Sequence, residues 1–218
     1  MSEQFTQEEC LDLLVEEFKR DSGEYRDIET PEDTEGKRRI LRSLMNIRMP
    51  RSMPSDVIRV QDEYLRGRSE EKGIVTLSDI PEIRKGLSVW QGDITRLAVD
   101  AIVNAANSQM LGCFVPMHTC IDNCIHTYAG VQLRAECSRQ MDQLRIRYGR
   151  DYEQPTAVPM LADCYRNTLD MCRENDLKSV AFCCISTGVF HFPNRRAGEI
   201  AVETVTDWIL KHPGKIEK

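Results

Sequence analysis

The chain has 218 residues, 41% of them hydrophobic, and its 29 Lys+Arg against 35 Asp+Glu give a formal net charge of −6. That length supports one sizeable core with an appendage and excludes a disordered peptide. A net negative field offers no general attraction to nucleic acid phosphates or anionic membranes, and no apolar run approaches the roughly 20 residues that span a bilayer. The start from Met1 to Cys10 is polar and acidic, without the apolar segment of a leader. The expectation is a cytoplasmic protein with neither nucleic acid nor membrane as a partner.

Residues up to about Lys85 read as helical. Thr6 and Glu9 have capping-box spacing, and Leu11, Leu14, Val15 and Phe18 follow at i, i+3, i+4 and i+7 before Gly23. A second helix is expected from Thr30-Pro31, with proline in its first turn, through Ile40, Leu41, Leu44 and Ile47 to Pro50. A third runs from Ser55 to Gly67. None of the three carries an evident chemical set, and Lys37-Arg38-Arg39 reads as a solvated face.

From Gly86 the pattern changes. Leu87 to Trp90 reads as a strand, Gly92 to Thr95 as a turn, and Ala101-Ile102-Val103 as a short buried strand ending at Asn104. Ile121 to Asp142 has helical periodicity broken near Gly130, and Leu161 to Glu174 is an amphipathic helix. Val180 to Ile185 is an all-apolar strand and Pro193 to Leu210 a further helix. Such alternation predicts a mostly parallel α/β sheet, whose ligands sit beyond the carboxyl ends of the strands. Of the nine cysteines, Cys164 and Cys172 fall on a helical apolar stripe and Cys183 and Cys184 in the last strand, where thiols serve as small buried hydrophobes.

Three stretches carry candidate chemistry. Asn104-Ala105-Ala106-Asn107 leaves a buried strand, its small alanines permitting close approach while two amides donate and accept; asparagines are also ordinary turn formers. Cys113, His118 and Cys120 form a compact set of borderline-soft ligands in a loop restricted by Pro116, which suggests zinc. Three ligands with an open fourth position is the catalytic pattern; Cys124 could close it into a structural site, and ordinary core packing is the plain alternative. Ser186-Thr187-Gly188-Val189-Phe190 follows a strand and could form a nest of backbone N–H groups for phosphate, or an ordinary strand-to-helix turn.

Taken in order, Gly92-Asp93-Ile94-Thr95, the runs Asp100 to Asn107, Leu111 to Asn123 and His126 to Arg134, and Ala181 to Pro193 resemble the zinc-containing branch of the macrodomain family, bacterial protein-ADP-ribose hydrolases. The resemblance covers nearly everything from Gly86 onward. It implies a three-layer α/β/α fold with a mostly parallel central sheet over residues 86–218, preceded by an N-terminal helical extension over residues 1–85. It further implies zinc-dependent hydrolysis of mono-ADP-ribose from proteins modified on Asp or Glu, with a cognate ADP-ribosyltransferase acting on the same target.

By that resemblance, Asp93 and the backbone of Ile94 meet the adenine, and Asn107 addresses the distal ribose with Asn104 supporting its loop. Cys113, His118 and Cys120 hold zinc, while Cys120, Ile121 and Asp122 line the ligand. Ser186, Thr187, Gly188, Val189 and Phe190 wrap the pyrophosphate, with the Phe190 ring against the ribose. Asn107 and Asp122 are the expected catalytic residues, the first orienting ribose or water and the second assisting proton movement. A Cys120–His126 nucleophilic pair is disfavoured, because a zinc-bound thiolate is a poor free nucleophile.

The chain also departs from the family pattern. It passes directly from Gln154-Pro155-Thr156 to Ala157, where family members carry further strand segments, and it stops at Lys215 to Lys218, where they enter a final strand. An incomplete sheet is therefore expected. Val189 stands where the family commonly has Glu. Alternative functions are a non-catalytic ADP-ribose-binding module, an O-acetyl-ADP-ribose deacetylase using the same cleft, and a structural zinc domain presenting its N-terminal helices.

Overall fold

A computed structural model describes residues 5–148, 161–188 and 191–218. These include α1 (Gln7–Ser22), α2 (Thr34–Ile47), α3 (Ser55–Lys72), β1 (Glu82–Arg84), β2 (Leu87–Ser88) and β3 (Ala101–Ile102). Then follow α4 (Ile121–Tyr128), α5 (Val131–Tyr148), α6 (Leu161–Glu174), β4 (Val180–Ala181) and α7 (Asn194–Lys211). The chain forms two compact units: Met1–Lys72 with Ala106–Gln154, and Gly73–Ala105 with Pro155–Lys218.

The first unit is helical. At the start of α1 the capping box closes, with Glu9 N–H donating to Thr6 Oγ1 at 3.2 Å and Thr6 N–H to Glu9 Oε2 at 2.8 Å, and Gly23 ends the helix at φ +68°. The second helix begins three residues later than the Thr30-Pro31 signal predicts. Asp33 is the cap, its carboxylate accepting from Gly36 N–H at 2.8 Å, and a carboxylate at a helix start outcompetes a proline further upstream. The third helix runs past Gly67 to Lys72, because Gly67 is a packing position against the Gln7 side chain and the chain turns only at Gly73, φ +83°. Leu11, Leu14 and Phe18 of α1 pack with Leu41 of α2 and Leu65 of α3, each fully buried apolar side chain contributing about 1.5–3 kcal/mol. The expected break near Gly130 separates α4 from α5, and the buried Gln61 accepts from Val131 N–H at 3.1 Å to start the second of them.

The second unit holds the strands, which are short. β1 and β2 pair antiparallel, while β3 and β4 pair in parallel with Ala101 opposite Val180 and Ile102 opposite Ala181. The Asp100 carboxylate fixes that register, accepting from the N–H groups of Lys178 and Ser179 at 2.8 and 2.9 Å and from Ser179 Oγ at 3.0 Å. On the opposite edge of β4, Glu217 N–H donates to Lys178 O and Val180 N–H to Lys218 O. Leu169 and Tyr165 of α6 pack with Trp208 and Val205 of α7, and Trp208 Nε1 donates to Asp170 at 3.1 Å.

The expected strand Val180–Ile185 is thus only two residues long. A strand persists where a neighbour accepts its ladder bonds; the last bond to β3 is Val103 N–H to Ala181 O, and Ile185 N–H already turns back to Cys183 O. As a result Cys184 is exposed and Cys183 half-buried, where both were expected inside a strand; on α6 Cys172 is buried as expected but Cys164 only half so. The Leu87–Trp90 strand is likewise cut to Leu87–Ser88. The α/β order agrees with expectation, and among the described residues the strands form only two two-stranded sheets, one antiparallel and one parallel. The junction at Thr156-Ala157 lies outside the described residues.

Candidate functional site

In the first unit, one ligand atom each of Cys113, His118 and Cys120 lies within 4.8 Å of the others. Cys113 Sγ is 3.5 Å from His118 Nδ1. Cys120 is the N-cap of α4, its Sγ accepting from Asn123 N–H at 3.4 Å, so the helix start fixes one thiol of the set. Burial raises the Cys120 thiol above its ordinary value, the Asn123 N–H opposes this, and Cys113 and Asp122 add to it. Two sulfurs and an imidazole in one loop suit zinc, and three donors leave a fourth position open. Cys124 is not part of the group; its Sγ lies 3.8 Å from Arg42 Nη2.

Behind this loop stands a buried polar layer. Asp122 is on the first turn of α4, and His126, one turn on, brings Nε2 to 3.6 Å from its Oδ1. Burial lowers the His126 pKa, Asp122 opposes that, and Arg134 adds to it, so the imidazole is neutral near pH 7. Arg134 of α5 donates from Nε to Leu111 O at 2.7 Å and from Nη1 to Asn46 O and Arg48 O, tying the loop to the end of α2. Gly112, at φ +80°, lies against the His126 ring; a Cβ there would come 2.6 Å from His126 Cδ2.

Asn107 is exposed, and its side chain organises its own loop: Oδ1 accepts from Gln109 N–H at 3.0 Å, and Nδ2 donates to Gly112 O at 3.2 Å. It is therefore bonded to the residue preceding the first candidate metal ligand. Ile121 is half-buried at the start of α4.

The second unit carries the other expected residues. Asp93 caps a short 3-10 turn, Ile94–Arg96, with Oδ1 accepting from Thr95 N–H at 3.0 Å and from Thr95 Oγ1 at 2.6 Å. Asn104 is half-buried two residues beyond β3. Ser186 takes the left-handed conformation, φ +64°, and its carbonyl accepts from Phe192 N–H, while Gly188 O accepts from His191 N–H; Thr187 Oγ1 donates to Cys184 O at 2.9 Å. Ser186 to Gly188 thus turn the chain directly after β4. Val189 and Phe190 lie outside the described residues.

Sequence reasoning missed the supporting layer of Arg42, Asn46, Asn123 and Arg134. One signal was present: Asn46 follows Leu41, Leu44 and Met45 on the buried side of α2, where a polar side chain is buried only with partners.

Among known families, the Macro domain profile matches residues 147–201. The chain is 41% identical to a protein-ADP-ribose hydrolase of Treponema medium over 242 residues, covering 95% of this chain and 90% of that protein. It is 37% identical to a protein-ADP-ribose hydrolase of Staphylococcus aureus strain Mu50, covering 91% and 85%. A probable bifunctional ADP-ribose hydrolase/ADP-ribosyltransferase of Fusarium oxysporum f. sp. cubense is 38% identical over 83% of this chain but only 38% of its own length. The crystal structure of a Trypanosoma brucei macrodomain in complex with ADP shares the fold, with TM-score 0.57 and 24% identity over 81% of this chain and 88% of that one. The alignment of 242 residues is longer than the 218 here, so the Treponema protein has residues without a counterpart in this chain.

Proposed function

The chain belongs to the macrodomain family, and we propose that it is a zinc-dependent hydrolase that removes mono-ADP-ribose from Asp or Glu side chains of modified proteins in the cytoplasm. The observation that carries this reading is the preassembled set of Cys113, His118 and Cys120, with donor atoms within 4.8 Å, in a chain whose relatives bear the hydrolase name. These three residues would hold the metal. When bound, zinc supplies a Lewis acid that polarises a ribose hydroxyl or acidifies a water.

The chain's own residues bind, orient and move the proton. In our reading residues 1–85 are a helical extension and residues 86–218 the macrodomain proper. Asp93 and the Ile94 backbone meet the adenine, Asn104 supports the strand-end loop, and Ser186, Thr187, Gly188, Val189 and Phe190 take the pyrophosphate. Cys120, Ile121 and Asp122 line the ligand. Asn107 Nδ2 carries two hydrogens, one of which bonds Gly112 O, and the other addresses a ribose hydroxyl. Water adds through oxygen to the anomeric carbon, and the bond from that carbon to the acceptor oxygen breaks with its electron pair leaving on the carboxylate. The proton lost by water passes to Asp122 and then to solvent.

A cognate ADP-ribosyltransferase is the implied functional partner, a reading supported by the Fusarium relative whose name joins the two activities. The test offers the zinc-loaded chain two substrates, a protein mono-ADP-ribosylated on glutamate and one modified on arginine. Release of ADP-ribose from the glutamate-linked substrate is expected. Binding of ADP-ribose without release identifies a reader, and cleavage restricted to O-acetyl-ADP-ribose identifies a deacetylase.

A further inference from the structure

The metal loop is held by α2, which lies in the same compact unit and, in the reading above, is part of the N-terminal helical extension. Arg42 and Asn46 stand one turn apart on that helix and reach adjacent residues of the loop. Arg42 Nη2 donates to His118 O at 2.8 Å, and Asn46 Oδ1 accepts from Met117 N–H at 3.0 Å. Met117 is in the left-handed region, φ +58°, where a non-glycine residue is strained unless its surroundings fix it. The Asn46 contact falls on that residue. Asn46 is 1% exposed, and its Nδ2 donates to Thr127 Oγ1 at 2.9 Å, so its orientation is itself locked.

A third residue completes the brace. Asn123, fully buried on α4, donates from Nδ2 to Cys113 O at 3.3 Å and to Val115 O at 3.0 Å, and its Oδ1 accepts from the same Arg42 Nη2 at 3.0 Å. The backbone at Cys113, Val115, Met117 and His118 is thus bonded to side chains of α2 and α4. His118 is exposed and would otherwise swing with its loop.

Resting on the metal-centre reading above, we infer that Arg42 and Asn46 are positioning residues of the zinc site. They preset the Met117–His118 peptide so that the imidazole meets the two thiols before metal arrives. The helical extension is then part of the metal centre. Ligand orientation fixed by outer hydrogen bonds typically changes metal affinity by about 10- to 100-fold when lost.

The test measures zinc affinity of the full-length chain by competition with a chromogenic chelator, and the visible spectrum of the cobalt-substituted protein, for Arg42→Met, Asn46→Ala and Leu14→Ala. Leu14 is a core residue of α1 with no bond to the loop, so Leu14→Ala lowers stability without touching the brace. Expected is a loss of at least tenfold in zinc affinity and an altered cobalt spectrum for Arg42→Met and Asn46→Ala, partial recovery in Arg42→Lys, and wild-type affinity for Leu14→Ala. Wild-type affinity in folded Arg42→Met, or an equal loss in Leu14→Ala, overturns the inference while leaving the metal centre intact. Failure of the wild-type chain to bind zinc overturns the metal centre and the inference with it.

Discussion

Oδ1 of Asp122 stands 3.6 Å from Nε2 of His126 across one turn of α4, with the two side chains 10% and 2% exposed. The ring lies against the carboxylate, and Asp122 is the residue proposed to take the water proton. Asp122→Asn is expected to lower the hydrolysis rate about 10²-fold, the low end of general-base contributions. His126→Gln is expected to lower it by less than Asp122→Asn, since a 3.6 Å contact is too long for a hydrogen bond and the ring acts on the carboxylate only by position. Steady-state kinetics check both, and a fall in kcat larger than any rise in KM separates proton transfer from binding.

Gly112 and Gly188 give opposite expectations for the same substitution. At Gly112 the backbone is at φ +80° and the new methyl group would press on the His126 ring, whereas among the described residues nothing lies within 4 Å of a methyl group at Gly188. Gly112→Ala should cost about 1–3 kcal/mol from backbone strain and crowding, and weaken zinc binding through the neighbouring Cys113. Gly188→Ala should leave stability unchanged within about 0.5 kcal/mol. Urea denaturation of the two variants checks this.

Acid should unpick the first unit through Asp21. Its carboxylate is half-shielded by burial, which alone would raise its pKa, but the hydrogen bonds and charges of Arg51 and Arg48 hold it below the usual carboxylate value. Arg48 is itself buried and bonds Asp21 at 2.8 Å. Because the folded value lies below the unfolded one of about 3.9, the stabilisation is fully present above that pH and is lost as pH falls through the folded value. Asp21→Asn should cost about 2 kcal/mol at pH 7, after screening of this partly exposed pair, and less near pH 3, below the unfolded value of about 3.9. Denaturant titrations at the two pH values measure the difference.

Leu169, 1% exposed on α6, tests the second unit's core. Leu169→Ala should cost about 2–5 kcal/mol through lost transfer energy and the cavity left behind. A chemical denaturation curve shifted by less than about 1 kcal/mol would mean that this core is not packed as described.

Local signals were legible where local chemistry decides. Thr6 with Glu9, Gly23 and Gly130 mark helix ends because their hydrogen bonds and backbone angles are made within a few residues. The Thr30-Pro31 start failed because a stronger cap, Asp33, lay three residues on. Strand lengths were not legible, since Val180 to Ile185 can pair only as far as β3 extends beside it. The Cys113, His118 and Cys120 set was visible from spacing and composition, and its donor atoms do converge. Its brace was not, because Asn46 and Met117 are 71 residues apart in the chain and no local pattern records that one will bond the other.

Zinc-dependent hydrolysis is read from the free ADP-ribose released from a glutamate-linked mono-ADP-ribosylated protein. The zinc-loaded chain, the same chain stripped by chelator, and Asn107→Ala are compared side by side. Expected is release by the zinc-loaded chain alone, restored to the stripped sample by added zinc. No release by a folded, zinc-loaded chain, or equal release after chelation, would contradict a zinc-dependent hydrolase.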